Sequence, residues 1–293
     1  MKKRRHPDWL KVHLVGGNTY SEMKKTLRKA KLHTICEEAK CPNILECFSS
    51  GTAVFLILGN TCTRNCKYCN VKQGKPVPLN PDESLAIAES VKKLGLKYVV
   101  ITSVTRDDLE DGGASVFYDC VKEIKKKQTK CKIEVLIPDF NGRKDSLKKI
   151  IDSNPDVINH NIEVSEELFP KIRPEGNYKT SLSLLKNIKN IDNNIKTKSG
   201  FMVGLGEDNN NIIKTMKDIK KAKVDFLTIG QYLQPTIKHT KIKKYYTPEE
   251  FMEFKLIALD IGFSYVESGP LVRSSYHAER AIFETKKMKL INK

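Results

Sequence analysis

Short β-rich runs alternate with longer amphipathic stretches from residue 53 to near the C-terminus. The runs are rich in Val, Ile and aromatic residues, and the stretches carry lysines on one face and apolar residues on the other. This change of period predicts strands and helices in turn. The predicted strands cover residues 53–58, 98–103, 133–137, 157–160, 200–203 and 226–229. The predicted helices cover residues 22–31, 82–94, 114–127, 144–153, 179–190, 209–222 and 248–261, and a short run at 264–266 closes the pattern.

Strands that alternate with helices form a parallel sheet, because each helix carries the chain back to the same edge. Six such units are typical of an α/β fold built as a partial (β/α)6 barrel, and a doubly wound open sheet is the alternative. In both architectures the site lies at the C-terminal ends of the strands. We predict an N-terminal extension at residues 1–50, a barrel at 51–262 and a C-terminal extension at 263–293.

The hydropathy of the chain argues against a membrane protein and against a secreted one. The 293 residues are 39% hydrophobic, and no apolar run approaches the roughly 18 residues that a membrane span needs. The basic N-terminus is not followed by the apolar segment of a signal peptide. We therefore expect a cytoplasmic protein without a membrane partner.

The formal net charge of +17 attracts acidic partners through long-range electrostatics. The sequence is also rich in Lys, Asn and Ile, which is the bias that AT-rich coding gives. Charge alone therefore does not assign the chain to nucleic acid, lipid or an acidic protein.

Six of the eight cysteines form two groups of three. A closed zinc or iron–sulfur site needs four ligands. A four-iron cluster on three thiolates leaves one iron open, so two such groups suggest two clusters with different fourth ligands. The first triad is Cys36, Cys41 and Cys47, spaced C-x4-C-x5-C, and the second triad is Cys62, Cys66 and Cys69, spaced C-x3-C-x2-C.

The spacing of the second triad leaves alternatives open. Steps of four and three also fit one face of a helix, and a zinc site is a further possibility. The run follows a strand directly and its intervening residues are polar, which favours an iron-binding loop. Disulfides are disfavoured because cytosolic thiols stay reduced. An open iron can chelate the amine and carboxylate of S-adenosylmethionine, whose sulfonium is cleaved by one electron from a low-potential cluster.

The first triad cannot form a helical stripe. Cys36 and Cys41 would lie about 140° apart on a straight helix, and Pro42 interrupts the segment. The three cysteines can therefore converge only around a bend. Cys120 and Cys131 lie in apolar-periodic segments, and we interpret them as small buried hydrophobic residues.

These motifs resemble a known family. The second triad, with Tyr68 as the aromatic residue of C-x3-C-x-aromatic-C, resembles the radical S-adenosylmethionine superfamily. The first triad, in which Cys41 precedes Pro42 and Asn43, resembles the lipoyl synthase family much more narrowly. The match covers roughly residues 7–280. Further matching segments are 99–104, 106–109, 111–113, 159–161, 197–207, 230–235 and 269–277.

The resemblance implies a partial barrel of the radical SAM type, with N-terminal and C-terminal extensions that carry an auxiliary cluster. Lipoyl synthases insert two sulfur atoms at C6 and C8 of an octanoyl chain, which is held on a lysine of a lipoyl carrier domain. Two [4Fe-4S] clusters and S-adenosyl-L-methionine are implied. The second triad would hold the cluster that cleaves S-adenosyl-L-methionine, and the first triad would hold an auxiliary cluster that is consumed as the sulfur donor.

The resemblance also implies individual site residues. In this family a serine near the C-terminus supplies the fourth ligand of the auxiliary cluster, and the matching residue is Ser275, with Ser274 as the second choice. The residues expected to bind the cofactor have polar side chains near strand ends or, for two glycines, an accessible backbone. They are Tyr68, Thr102, Ser103, Gly112, Gly113, Asn161, Glu163, Arg173 and Lys198.

The implied partners are octanoylated lipoyl carrier domains of 2-oxoacid dehydrogenases or of the glycine cleavage H protein, and an electron donor of the flavodoxin or ferredoxin type. We expect the positive charge to help dock an acidic lipoyl domain, and we expect no nucleic acid partner. One alternative is a methylthiotransferase, whose auxiliary cysteines are spaced much more widely. Another is a basic nucleic-acid-binding zinc protein, which would be colourless and would bind less tightly as salt rises.

Overall fold

The computed structural model describes residues 6–11, 18–49 and 52–283. The start of the chain, on which the expectation of no signal peptide depends, lies partly outside the described residues. The described strands are β1 (His33–Thr34), β2 (Val54–Ile57), β3 (Thr61–Cys62), β4 (Lys72–Gln73), β5 (Tyr98–Ser103), β6 (Lys132–Leu136), β7 (Val157–Asn159), β8 (Lys196–Val203), β9 (Phe226–Gln231) and β10 (Tyr265–Gly269). The described α-helices are α1 (Asn18–Lys29), α2 (Ile35–Glu38), α3 (Ile44–Ser49), α4 (Glu83–Lys93), α5 (Ala114–Lys127), α6 (Lys144–Asp152), α7 (Phe169–Ile172), α8 (Tyr178–Ile191), α9 (Asn209–Lys221) and α10 (Pro248–Asp260).

The main sheet follows chain order. Its strands run β1, β2, β5, β6, β7, β8, β9 and β10. β1 is antiparallel to β2, and each later strand is parallel to its neighbours. A doubly wound sheet reverses its strand order at a switch point. This sheet does not, so the predicted partial barrel is confirmed and the doubly wound alternative is wrong.

The C-terminal strand makes the sheet longer than six units. Within the described residues the main sheet has seven parallel strands, because the predicted run at 264–266 extends to Tyr265–Gly269 and pairs with β9 from Phe226 to Gly230. β3 and β4 form a separate two-stranded parallel sheet. The predicted domain boundaries at residues 50 and 262 stay predictions. β1 lies before the boundary at residue 50 and β10 lies after the boundary at residue 262, yet both strands belong to the barrel sheet.

The buried strands of the sheet have apolar sequences, whereas β8 begins with buried polar residues, which is why its start was predicted wrongly. Every residue of β2 and β9 is buried, as in parallel sheets that are covered on both faces. β8 begins at Lys196 and not at the predicted residue 200, because its first residues are polar but paired. The backbone of Thr197 donates to the Asp225 carboxylate at 2.8 Å, and Lys198 Nζ lies 3.1 Å from Glu134. Hydropathy alone does not reveal a strand that is held by such pairs.

Three of the long helices in the described residues begin at side-chain caps. Asn177 caps α8, and Asp208 and Thr247 form capping boxes with the third residues of α9 and α10. Their apolar faces pack on the sheet, and Cys120 of α5 is buried there as predicted, as is Cys131 just before β6. In the described ranges, no helix combines the length and the apolar character that crossing a bilayer requires.

Candidate functional site

A cavity of about 540 Å³ lies at the C-terminal ends of the parallel strands. Ser103 at the end of β5, Leu136 at the end of β6 and Asn161 just beyond β7 belong to its wall. This is the edge at which (β/α) barrels carry their sites. Both cysteine triads line the cavity, so residues separated by up to 33 positions meet at one place: Cys36, Cys41, Cys47, Cys62, Cys66 and Cys69.

The first triad converges around a bend, as its spacing predicted. Cys36 lies in the short helix α2, and Cys47 lies in α3. Between them the chain turns at Lys40, whose φ is +52°, and the backbone N–H of Cys41 donates to the carbonyl of Cys36 at 2.9 Å. The two helices are thus too short to form a stripe, and the turn brings all three thiols to the same wall.

The second triad lies on a strand end and the loop that follows it. Cys62 ends β3, and Cys66 and Cys69 lie in the loop, which contains no helix. The helical-face alternative is therefore wrong. The backbone N–H groups of Arg64 and Thr105 each lie 3.4 Å from Cys62 Sγ and donate to it. Such donors suit a sulfur that carries negative charge.

A buried arginine fixes the conformation of this loop. The guanidinium of Arg64 donates to both carboxylate oxygens of Asp107, at 2.7 and 2.9 Å, and to both of Asp139, at 2.7 Å each. Asn141 accepts a further hydrogen bond from it at 2.7 Å. Asp107 follows β5 and Asp139 follows β6, so Arg64 ties the second triad to two strand ends. Bidentate pairs of this kind hold geometry firmly.

Backbone contacts hold the rest of the loop. The N–H of Lys67 donates to the carbonyl of Ile172 at 2.9 Å, and the N–H of Thr240 donates to the carbonyl of Lys67 at 3.1 Å. Nε2 of His239 lies 2.9 Å from the carbonyl oxygen of Cys69 and donates to it. Asn70 donates to the carbonyl of Glu38 at 3.0 Å, which joins the loop to the helix of the first triad.

Burial controls the protonation of the thiols. It raises the pKa of Cys69 and of Cys47 to about 12, with neighbouring thiolates of the same triad adding to the effect. The pKa values of Cys36, Cys41 and Cys66 are raised by burial as well. Thiolates held close together repel one another unless a shared metal centre offsets their charge. Each triad therefore fits the donor set of an iron–sulfur cluster.

The C-terminal segment packs against the first triad. Asn43 donates to the carbonyl of Leu271 at 2.7 Å, and the hydroxyl of Tyr276 donates to Glu46 at 3.0 Å. Arg273 lies close enough to Cys41 to favour its thiolate. Ser275 lies in this segment and lines the cavity together with the triad. The fold thus brings the predicted serine and the predicted cysteines together.

The two adjacent serines have different surroundings. The Ser274 hydroxyl donates to Oδ1 of Asn161 at 3.0 Å and accepts from Nδ2 of Asn159 at 2.9 Å. Its hydrogen-bonding capacity is therefore largely used. Ser274 connects the C-terminal segment to the end of β7.

A polar cluster adjoins the second triad. Tyr68 lies beside Cys66 and Glu163, and Asn161 donates to Glu163 at 3.0 Å. Arg173 is buried and donates to the carbonyl of Asn161 at 3.1 Å. Burial raises the pKa of Glu163, and Arg173 opposes that shift. The cluster offers a cation, a carboxylate and an amide, which are the groups that an amino acid with a ribose recognises.

Thr102 and Ser103 also line the cavity. The Thr102 hydroxyl donates to the carbonyl of Leu136 at 3.0 Å. The buried hydroxyl of Ser103 has no hydrogen-bond partner among the described residues, which leaves it available to a ligand.

Three predicted residues are not brought to the cavity wall. Lys198 is buried inside the barrel, where its Nζ lies 3.1 Å from Glu134. Gly113 is the N-cap residue of α5 with φ of +89°, and a Cβ there would lie 2.2 Å from the Leu58 side chain. A Cβ on Gly112 would lie 2.9 Å from the ring of Phe140. The fold itself requires both glycines, whereas their predicted contact with a cofactor stays untested.

The sequence analysis missed two positively charged residues that shape the site. Arg64 lies between two triad cysteines, and its partners follow strand ends, so a search for acidic residues after strands offered a signal. Arg273 contacts Cys41 across 232 positions of sequence, and no local pattern reveals that proximity.

Comparisons with known proteins give consistent matches. Residues 56–219 match the radical SAM superfamily, and residues 1–41 match the N-terminal domain of lipoyl synthase of the radical SAM family. A lipoyl synthase of Caldicellulosiruptor bescii is 53% identical over 279 residues, which cover 95% of this chain and 96% of that protein. A lipoyl synthase of Alkaliphilus metalliredigens is 52% identical over 289 residues, which cover 99% of this chain and 100% of that protein.

Solved structures with the same barrel are more distant in sequence. SuiB of Streptococcus suis bound to S-adenosylmethionine superposes with a TM-score of 0.58 at 14% identity, over 83% of this chain and 56% of that chain. HydG, a maturase of the FeFe-hydrogenase, gives a TM-score of 0.58 at 14% identity, over 90% of this chain and 78% of that chain. At these identities the likeness concerns the fold alone.

Proposed function

The chain belongs to the lipoyl synthase family of radical S-adenosylmethionine enzymes, and on that premise we propose how its residues divide the reaction. Members of the family are sulfurtransferases that use S-adenosyl-L-methionine and [4Fe-4S] clusters, and they act on octanoylated lipoyl carrier proteins. The methylthiotransferase and zinc-protein alternatives are therefore set aside. The observation that carries the division is that two separate cysteine triads line one cavity.

The second triad is assigned to S-adenosyl-L-methionine. Cys62, Cys66 and Cys69 would hold the cluster that, once reduced, cleaves the sulfonium, while a second cluster supplies sulfur to the octanoyl chain. The neighbouring polar residues would orient the cosubstrate. Glu163 and Asn161 are suited to its amine and ribose hydroxyls, and Arg173 to its carboxylate. Tyr68, Thr102 and Ser103 complete that wall. Gly112, Gly113 and Lys198 do not line the cavity, so their part in binding the cosubstrate would be to support the wall.

The first triad is assigned to the auxiliary cluster. Cys36, Cys41 and Cys47 would supply three thiolates, and Ser275 would supply an oxygen ligand. An alkoxide is a harder ligand than a thiolate, so it binds iron–sulfur iron less firmly and suits a cluster that must open. In this proposal the extensions at residues 1–50 and 263–293 meet over the barrel to form the auxiliary site.

The cavity also suits an alkyl chain. Apolar side chains contribute to its wall, and burial of methylene groups there stabilises a bound octanoyl chain. They include Leu136, Ile137, Phe201, Leu233 and Val272. The carrier domains would be those of 2-oxoacid dehydrogenases or of the glycine cleavage H protein, and electrons would come from a flavodoxin or ferredoxin. We assign the reaction to the cytoplasm, where thiols stay reduced.

Single substitutions in the two triads test the division of labour. With an octanoylated lipoyl domain, S-adenosyl-L-methionine and dithionite, Cys66→Ala should abolish cleavage of S-adenosyl-L-methionine and, with it, sulfur insertion. Cys41→Ala should retain cleavage and lose insertion, as read by the mass of the lipoyl domain. Cys131→Ala, outside both triads, is the control. Loss of both activities to the same extent in Cys41→Ala would contradict the proposal.

A further inference from the structure

The loop of the second triad has two faces. Cys66, Tyr68 and Cys69 line the cavity, whereas Asn65 and Lys67, which alternate with them, are exposed to solvent. One face of the loop therefore looks towards the bound cosubstrate and substrate. The other face carries solvent-exposed residues on either side of Cys66 in the chain.

A second segment, residues 236–244, packs against that outer face. The N–H of Thr240 donates to the carbonyl of Lys67 at 3.1 Å, and His239 donates to the carbonyl of Cys69 at 2.9 Å. Tyr232, the residue after β9, anchors the segment from the barrel side, because its hydroxyl donates to the carbonyl of Thr240 at 2.8 Å. Hydrogen bonds thus hold the segment to the cluster-binding loop through Thr240 and His239, and to the end of β9 through Tyr232.

The exposed residues here are basic, with one apolar residue among them. We define the cluster-loop face as Lys67, Ile237, Lys238, Lys241 and Lys243, all of which are exposed. Ile237 is 88% exposed and is the apolar member of the face.

The nearby acidic residues do not neutralise this face. Glu175 accepts from the backbone N–H of Asn65 at 3.3 Å, and Glu250 pairs with Lys244 at 2.6 Å. Glu207 lies in the turn that Lys243 packs against, and its carboxylate accepts from the backbone N–H groups of that turn. Because Lys244 pairs with Glu250, two carboxylates, Glu175 and Glu207, stand against the four lysines of the face, and the surface keeps a positive charge.

We propose that the cluster-loop face docks the protein that delivers electrons to the second triad, and that this protein is an acidic one-electron carrier. The inference rests on the proposed function, in which Cys62, Cys66 and Cys69 hold a cluster that must be reduced. Each encounter moves one electron from the reduced carrier to that cluster. The carrier leaves oxidised by one electron, and no covalent bond forms or breaks.

The position of this face favours an electron carrier over the lipoyl carrier domain. An octanoyl chain must enter the cavity, which lies on the inner side of the loop. An electron carrier needs only to come close to the cluster. It can do so on the outer side of the loop without displacing the cosubstrate from the cavity. Transient electron-transfer contacts are small, often below about 1,200 Å² in total, so a short segment and one loop suffice.

Charge and apolar character suit such an encounter. Lysines on this face steer an acidic carrier and raise its association rate, an effect that falls with ionic strength. The apolar side chain of Ile237 gives the contact a centre that excludes water, as in other interfaces with charged rims. The complex should therefore form quickly and dissociate quickly.

Charge reversal on the reconstituted enzyme tests the proposal. The test variant carries three substitutions on the face: Lys238→Glu, Lys241→Glu and Lys243→Glu. The control variant carries three on exposed positions of α4, α8 and α9, with the same change in net charge: Lys93→Glu, Lys186→Glu and Lys217→Glu. Each enzyme is assayed once with flavodoxin kept reduced by its NADPH-dependent reductase and once with dithionite.

We expect the test variant to raise the KM for flavodoxin by about tenfold or more at low salt, because reversed charges repel the carrier. Turnover with dithionite should match the wild type, and the control variant should behave as wild type in both assays. The Kd of oxidised flavodoxin, from a titration of its flavin fluorescence, should weaken by a similar factor in the test variant only. Ile237→Ser should weaken binding at both low and high salt.

The outcomes separate this inference from the proposed function. If wild-type enzyme gives no lipoyl product even with dithionite, the proposed function fails. If dithionite turnover is normal and the test variant keeps its KM and Kd for flavodoxin, the docking face is wrong. If the test variant instead raises the KM for the octanoylated lipoyl domain in the dithionite assay, the face serves the substrate domain and the inference is also overturned.

Discussion

The two neighbouring serines near the C-terminus show how single residues divide their tasks. Ser274 bonds to Asn159 and Asn161, and Asn161 bonds to Glu163 beside the second triad. Ser275 lines the cavity in the segment that packs on the first triad. Both serines line the cavity, and the bonds of Ser274 to two asparagines are the reason that we propose its neighbour Ser275 as the iron ligand.

Substitution of each serine should have a different result. Ser275→Ala should retain cleavage of S-adenosyl-L-methionine but abolish sulfur insertion, because the auxiliary cluster loses its oxygen ligand. Ser274→Ala removes two hydrogen bonds of about 1 kcal/mol each, so we expect insertion to slow by roughly tenfold with the iron content unchanged. Iron analysis and single-turnover mass measurements check both. Equal defects in the two variants would contradict the assignment of Ser275 as the ligand.

At the scale of elements, β9 is shaped to let the C-terminal segment cross it. A Cβ on Gly230 would lie 2.2 Å from the carbonyl oxygen of Val272, which is backbone and cannot rotate away. Arg273 donates to the carbonyl of Gln231 at 3.3 Å, just beyond that crossing. The absence of a side chain at one strand position therefore lets the segment that carries Ser275 cross β9 closely.

Gly230→Ala should displace the segment and weaken the auxiliary site. We expect a loss of about 1–3 kcal/mol in unfolding free energy, typical of overpacking, together with loss of sulfur insertion. Gly269→Ala is the matched control, because a Cβ there lies 3.2 Å from a side-chain methyl of Val272, a contact that a shift of a few tenths of an ångström relieves. Urea unfolding and iron content measure the two effects. Full insertion activity in Gly230→Ala would show that the segment tolerates the shift.

A buried ion pair links β6 to β8 in the barrel interior. Lys198 Nζ lies 3.1 Å from Glu134, which also accepts from Tyr98 and Asn159. Lys198→Met leaves the carboxylate buried without its cation, which should cost about 3–5 kcal/mol of stability. Adding Glu134→Gln should restore part of that loss in urea unfolding. A stable Lys198→Met variant with weakened binding of S-adenosyl-L-methionine would instead support the predicted cofactor role of Lys198.

The elements that the sequence predicted best are those with one clear period. β5 and α5 have the predicted limits, since their apolar and polar positions repeat without interruption. β8 was predicted too short because buried Thr197, Lys198 and Ser199 look like surface residues until their partners are known. The short helices α2 and α3 were missed, since a helix of four to six residues shows too little of its period.

At the scale of the whole molecule, the site depends on contacts between distant parts of the chain. The cysteine spacings revealed both triads, but Tyr276 meets Glu46 across 230 positions, and Arg64 meets Asp139 across 75. Such proximity follows from the closing of the barrel and is not encoded in any local pattern. The assignment of Ser275 therefore came from family resemblance, whereas the bend in the first triad came from geometry.

The two sites should load iron independently, because each triad belongs to its own segment of the chain. Reconstituted wild-type enzyme should hold about eight irons per chain, that is, two four-iron clusters. Replacing all three cysteines of either triad by alanine should leave about four, and replacing all six should leave none. Loading should also raise Tm, since metal that binds the folded chain stabilises it by mass action. Iron analysis, absorbance near 400 nm and thermal melts under anaerobic conditions test this, and four irons in the wild type after full reconstitution would leave the first triad without a cluster.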